Sequence, residues 1–189
     1  MIAFKEWSVI VEELLAGRQI LILRKGGIHE KRGEFQLSHQ EFYLFPTFLH
    51  QTEGNLKPVL EQKIASGATP STMVPIAGYA QVAWSEWVDD LSKLEKLDPY
   101  HGWSWKCIQE RAEWGDSKGL YVIAVRVYRL ANEISLKNDP KYGGCRSWVE
   151  LGEDLRIPQM TPVLSDQEFQ KRSDQIKKIL SAARILRCP

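Results

Sequence analysis

The segment Leu120–Leu130, LYVIAVRVYRL, constrains this chain more than any other. Val, Ile and Tyr dominate it, and both of its faces stay apolar until Arg126 and Arg129. β-Branched and aromatic side chains suit a pleated surface, and a strand apolar on both faces must be covered on both sides. The segment therefore predicts a central strand, and the rest of the chain has to supply its neighbours and its cover. Ile20–Leu23, a shorter apolar run followed by charge and then Gly26-Gly27, reads as a second buried strand.

The other segments fall around these two. Phe4, Trp7, Val11 and Leu14 recur at three- and four-residue steps, which predicts a helix over 3–16 closed by Gly17. Phe35/Leu37 and Phe42/Leu44 predict two short strands ending at Pro46. Pro58 opens a helix carrying Val59, Leu60 and Ile64 and stopped by Gly67. The stretch 67–75, GATPSTMVP, reads as an internal loop. Tyr79–Trp87 alternates as a strand. Asp90–Leu97 and Trp105–Trp114 read as helices, and Ser147–Leu151 as a strand. Ala131–Gly144 reads as loop, on the turn signals Asn138-Asp139-Pro140 and Gly143-Gly144. Ser165 and Glu168 form a capping box that opens a C-terminal helix with Phe169, Ile176, Ile179, Leu180 and Ala183 on its apolar stripe. Helices and strands do not alternate regularly enough for a doubly wound sheet. The expectation is a single α+β domain over 1–189, with a central mixed or antiparallel sheet and the N- and C-terminal helices packed on it.

Charge narrows the function classes. Lys and Arg outnumber Asp and Glu by one, so bulk charge does not make the chain a polyanion binder, and any basic patch is local. No apolar run approaches the roughly 20 residues of a membrane helix, and Glu6, Glu12 and Glu13 break the N-terminal apolar residues, so no signal peptide is read. The expectation is a cytoplasmic protein with no membrane partner. Cys107, Cys145 and Cys188 are odd in number and form no CxxC, which fits reduced thiols.

Chemically capable side chains crowd into Leu21–Gln51. Arg24, Lys25, Gly26 and Gly27 put two cations next to a double-glycine turn, where backbone amides can cradle an anion. A β-turn with a charged rim explains the same residues. His29, His39 and His50 accompany Glu30, Glu34 and Glu41, and imidazole and carboxylate are ligands for a divalent metal. Read as a site, Glu30, Glu41, His39 and His50 would be catalytic, with His39 and His50 holding the metal. Read otherwise, they are separate turn-capping residues, because their spacing matches no close-packed signature. Tyr142 and Arg146 flank Gly143-Gly144-Cys145 and suit a ligand-binding loop better than a thiol nucleophile. Trp84, Trp87, Trp103 and Trp105 could stack on bases, but large aromatics are first of all core. The basic C-terminal helix (Lys171, Arg172, Lys177, Lys178) is diluted by Asp166, Glu168 and Asp174 and reads as a solvated face.

Several blocks resemble a prokaryotic family of unknown function, DUF1802: Lys5-Glu6-Trp7, the run from Leu23 to Glu30 (LRKGGIHE), the run from Leu44 to Gln51 (LFPTFLHQ), Val127-Tyr128-Arg129-Leu130, and the run from Tyr142 to Leu151 (YGGCRSWVEL). The resemblance covers nearly the whole chain and implies one compact intracellular domain. It carries no activity and no catalytic residue across. The functional expectation is a phosphate- or nucleic-acid-binding protein, extending to a metal-dependent hydrolase. The alternative is a non-catalytic protein-interaction or assembly factor with a protein partner.

Overall fold

The computed structural model describes residues 1–25, 37–48, 54–65, 72–144, 146–152 and 159–182. In chain order the elements are β1 (Ile2–Trp7), α1 (Ser8–Leu15), β2 (Leu21–Arg24), β3 (Glu41–Thr47), α2 (Pro58–Ala65), β4 (Met73–Val88), α3 (Leu91–Lys96), α4 (Trp105–Glu113), β5 (Leu120–Lys137), β6 (Trp148–Glu150), β7 (Met160–Pro162) and α5 (Asp166–Ser181). The strands form one mixed sheet in the order β2-β5-β4-β3-β1-β6, with β7 on the free edge of β5 beyond β2. Only β1–β3 is parallel among these pairs. The α+β class, the mixed sheet, the central place of Leu120–Leu130 and the C-terminal helix are as the sequence predicts. Ser165 caps α5, accepting from the Glu168 amide at 3.2 Å.

The N-terminus differs. Residues 2–7 are a strand, and helix begins only at Ser8. Paired with β3 on one edge and β6 on the other, β1 is buried almost throughout, and interior pairing outweighs the helical spacing of Phe4 and Trp7. The 67–75 loop gives way to strand from Met73, and the 131–144 loop to strand as far as Lys137. Polar in sequence, ANEISLK is held by its register with β4, where Ile134 faces Ile76 and Leu136 faces Val74. Nor does a strand end at Pro46: β3 continues through it to Thr47. A proline costs little there, because β3 pairs β4 only at Glu41–Tyr43. Of the strand expected at Phe35/Leu37, Phe35 falls outside the described residues and Leu37 lies in no strand; the Gly67 stop also falls outside them. β7 has only three residues and no sequence signature.

Apolar side chains pack on both faces of the sheet. One cluster joins Phe4, Leu44 and Leu21–Leu23 to α1, α4 and α5. The other gathers Ala3, Tyr43, Phe45, Tyr79, Leu130 and Tyr142 on the opposite face. Alternation along β1 assigns its side chains: Phe4 to the first face, Ala3 to the second.

The sheet curls. β1 and β2 lie four steps apart, about 19 Å if flat at the usual strand spacing. Yet Arg24 of β2 reaches β1: its Nη2 lies 3.3 Å from Glu6 Oε2 and donates to the Lys5 carbonyl, and its guanidinium sits 4.6 Å from the Phe4 ring centre. Glu6 is fully buried and also accepts from the Trp7 amide at 2.8 Å. Removing one member of such a pair strands a buried charge. We expect Arg24→Met to cost about 3–5 kcal/mol in denaturant unfolding and the double change Glu6→Gln/Arg24→Met to recover most of it. An additive double mutant would contradict the pairing.

His101 gives the fold a pH signature. Burial beside Trp103, with Lys57 adding to the effect, pushes its imidazole down to about 4 from the ordinary 6.5. The unfolded chain takes up this proton near pH 6.5 and the folded chain only near pH 4, so protonation favours unfolding across that window. Stability should therefore rise from pH 4 to pH 6.5, His101 contributing about 3 kcal/mol. Thermal unfolding of His101→Phe across the same range should show a flatter profile.

Candidate binding cleft

A cleft of about 900 Å³ opens where β1 passes into α1. Its existence follows from the parting of two strands. Beyond Tyr43 and Tyr79, β3 and β4 no longer pair, and a register shift at Ile76/Gly78 bends β4 away. Gly78 lies so close to Leu15 and Leu44 that a Cβ there would stand 2.7 Å from Leu15 Cδ2. Phe45–Phe48 then line one side and Met73–Pro75 the other, with Tyr142–Gly144 also in the lining.

The lining mixes apolar walls with charged groups, and one of these is buried. Lys5, on the same face of β1 as Ala3, is only 6% exposed. Its ammonium donates to the Tyr142 carbonyl at 2.8 Å and the Gly144 carbonyl at 2.7 Å. The lysine thus holds the loop after β5 against β1 while placing a positive charge in the lining. Ser8 and Val9, the first residues of α1, also line the cleft, so the positive end of that helix faces it. Tyr142 packs against Phe45 at 5.5 Å between ring centres, and Lys141 lies 5.0 Å from the Tyr142 ring. Phe48 is 37% exposed. Glu12, Glu133 and Asp139 also lie in the lining. Glu12 is offset by Lys63 at 3.4 Å, and Asp139 accepts from the Lys141 amide at 2.8 Å.

The residues singled out from sequence are distributed differently. Tyr142 lines the cleft, with Gly143 and Gly144 beside it, while Arg146 is exposed two residues further on. Arg24 lies on the other face of β1, engaged with Glu6. Lys25 turns away from Arg24. Its ammonium donates to the carbonyls of Ala112 (3.2 Å), Ser117 and Gly119 (3.1 Å) and lies 5.2 Å from the Trp87 ring. His39 packs its ring on Trp148 at 5.0 Å. Glu41 pairs with Gln81 at 3.4 Å and with the Tyr79 hydroxyl, whose acidity burial and that carboxylate both suppress. Glu41 lies at the far end of β3 from Thr47, about 20 Å away at the usual rise. Gly26, Gly27, His29, Glu30, Glu34, His50 and Cys145 lie outside the described residues. Among the described residues, no group of three His, Cys, Asp or Glu side chains could hold a metal. Cys107 is buried in the core, where its thiol is pushed up and kept inert.

Sequence reasoning misses Lys5, Phe45 and Phe48 as site residues. Their signal was present in another form. The blocks around Lys5, Phe45–Phe48 and Tyr142–Gly144 are far apart in the chain, and each carries part of the DUF1802 resemblance. All three meet in this cleft.

A family model described as a domain of unknown function, DUF1802, matches residues 3–175. The chain belongs to the DUF1802 family. No curated protein matches it. Among solved structures, the DUF1802 chain is similar to the crystal structure of ASCH from Zymomonas mobilis, at 13% identity and a TM-score of 0.46, over 92% of this chain and 93% of that one. No property is carried across so distant a likeness. Among the described residues of this DUF1802 protein, no helix is long and apolar enough to cross a membrane.

Proposed function

We propose that this DUF1802 protein binds single-stranded nucleic acid and that the cleft takes one unpaired nucleotide. The observation that carries the reading is the buried Lys5 ammonium beside the start of α1, in a cleft whose apolar wall is Phe45, Phe48, Met73, Val74 and Tyr142 and whose charged rim is Glu12, Lys63, Glu133 and Asp139. A nucleotide offers the complement: a planar base for aromatic side chains and one anionic group for a localised positive charge. A duplex lacks the exposed base face that such a cleft takes. The acidic groups in the lining disfavour a long run of phosphates there, so recognition rests on stacking and a single charge. This reading needs neither a metal nor bond-breaking chemistry. A protein partner is the second reading, and one observation favours it: Glu133 and Asp139, on the β5 side, suit an extended basic peptide laid along the parted strands.

Fluorescence anisotropy with labelled oligonucleotides tests the first reading. Phe48→Ala, which leaves the core untouched, should weaken a single strand by about 1–3 kcal/mol, roughly 5- to 150-fold. Lys5→Met should weaken it further, and for a dinucleotide the slope of log K against log salt should be shallow, about −1. A chelator should change nothing. Unchanged affinity in Phe48→Ala, or tighter binding to an unlabelled basic peptide than to any oligonucleotide, would overturn the reading in favour of the second.

A further inference from the structure

A second cleft, of about 500 Å³, lies at the other end of α1, between the turn Ala16–Gln19, Tyr100 and α5. Its chemistry is unlike that of the first. Three cations line it, Arg18, Lys171 and Arg172, against one carboxylate, Glu168. The fold builds the arrangement deliberately. Gly17, at φ 66°, turns the chain after α1, and a Cβ there would stand 2.8 Å from Leu164 Cδ2 just before α5. Arg172 donates to the Gly17 carbonyl and to Glu168 at 2.8 Å, which fixes α5 on that turn. Arg18 is held by Glu13 through Nε (2.7 Å) and Nη2 (2.8 Å). Burial would raise the Glu13 carboxyl, but its hydrogen bonds from Arg18 and Lys63 outweigh that and hold it below its ordinary value. The Arg18 side chain is nonetheless 55% exposed, and two of its five N–H donors suffice for Glu13. Lys171 is exposed on the same lining. Positioned guanidinium groups with donors to spare, beside an exposed ammonium, are what a phosphate group requires.

We propose that this cleft is a phosphate-binding site that holds the sugar–phosphate backbone of the strand whose base occupies the first cleft. The inference rests on the nucleic-acid reading above and divides recognition between the Lys5 end of the first cleft, whose lining follows α1 to Leu15, and the turn beyond that helix: base at the first, backbone at the second. α1 has eight residues and spans about 12 Å. An oligonucleotide of a dozen residues reaches both clefts, whereas the single phosphate of a dinucleotide seated at Lys5 and Phe48 does not.

Anisotropy titrations of a 12-mer and a dinucleotide against wild type, Lys171→Glu and Lys171→Gln separate the two sites, and the exposure of Lys171 leaves folding intact. The 12-mer should lose roughly 10-fold in affinity with Lys171→Glu and less with Lys171→Gln, and its salt slope should fall by about one. The dinucleotide should bind all three proteins equally. A 12-mer indifferent to both changes would overturn this second site and leave the first standing. A dinucleotide that fails to bind wild type, with a 12-mer still dependent on Lys171, would overturn the first cleft and keep the phosphate site.

Discussion

Arg24 ties β2, at one end of the sheet, to β1, next to the other end, and much of the architecture depends on that tie. A mixed sheet of this size has a natural twist but no reason to bring β2 beside β1. The guanidinium does so by pairing with the Glu6 charge, donating to the Lys5 carbonyl and lying over Phe4. The interaction is costly to form in a buried setting and costlier to break, so it acts as a specificity device: one curl satisfies it and a flat sheet does not. Fixing β1 in this way also fixes the point at which it turns into α1.

From that point the cleft follows. β1 sends Phe4 and Glu6 to the Arg24 face and Ala3 and Lys5 to the other, so the ammonium emerges on the face where β3 and β4 have parted. Lys5 draws in the Tyr142–Gly144 backbone, and the aromatic walls come from β3 and that loop. Parting two strands exposes backbone and apolar surface, and a fold retains such an opening at a cost to its core. The two clefts differ in the sign of their charge: one buried lysine among mostly acidic groups in the first, three cations against one carboxylate in the second.

Much of this was legible in the sequence. Leu120–Leu130 and Ile20–Leu23 announced strands through composition alone, and Ser165 with Glu168 announced the last helix, because these are local signals. The misreadings share one cause. Phe4 and Trp7 are spaced as in a helix, but residues 2–7 are buried by partners about 40 and 145 positions away, which no local pattern reveals. Residues 131–137 look like loop because their strand is stabilised by the facing half of β4. The site was obscured in the same manner. Arg24 and Lys25 are adjacent in sequence, so a shared anion site was a fair expectation, yet neighbours on a strand point to opposite faces and these two serve different contacts. Tyr142 was visible as part of a glycine-rich loop; Lys5, inside an apparent helix, was not.

The most direct test of the account is photocrosslinking of a 4-thiouridine oligonucleotide to the full chain, with the attachment sites mapped by mass spectrometry. The account predicts crosslinks at Phe45, Phe48 or Tyr142, lost when excess unlabelled single strand is added. Crosslinks confined to the Trp84 and Lys177 face of the sheet and α5, or none that competitor removes, would contradict it.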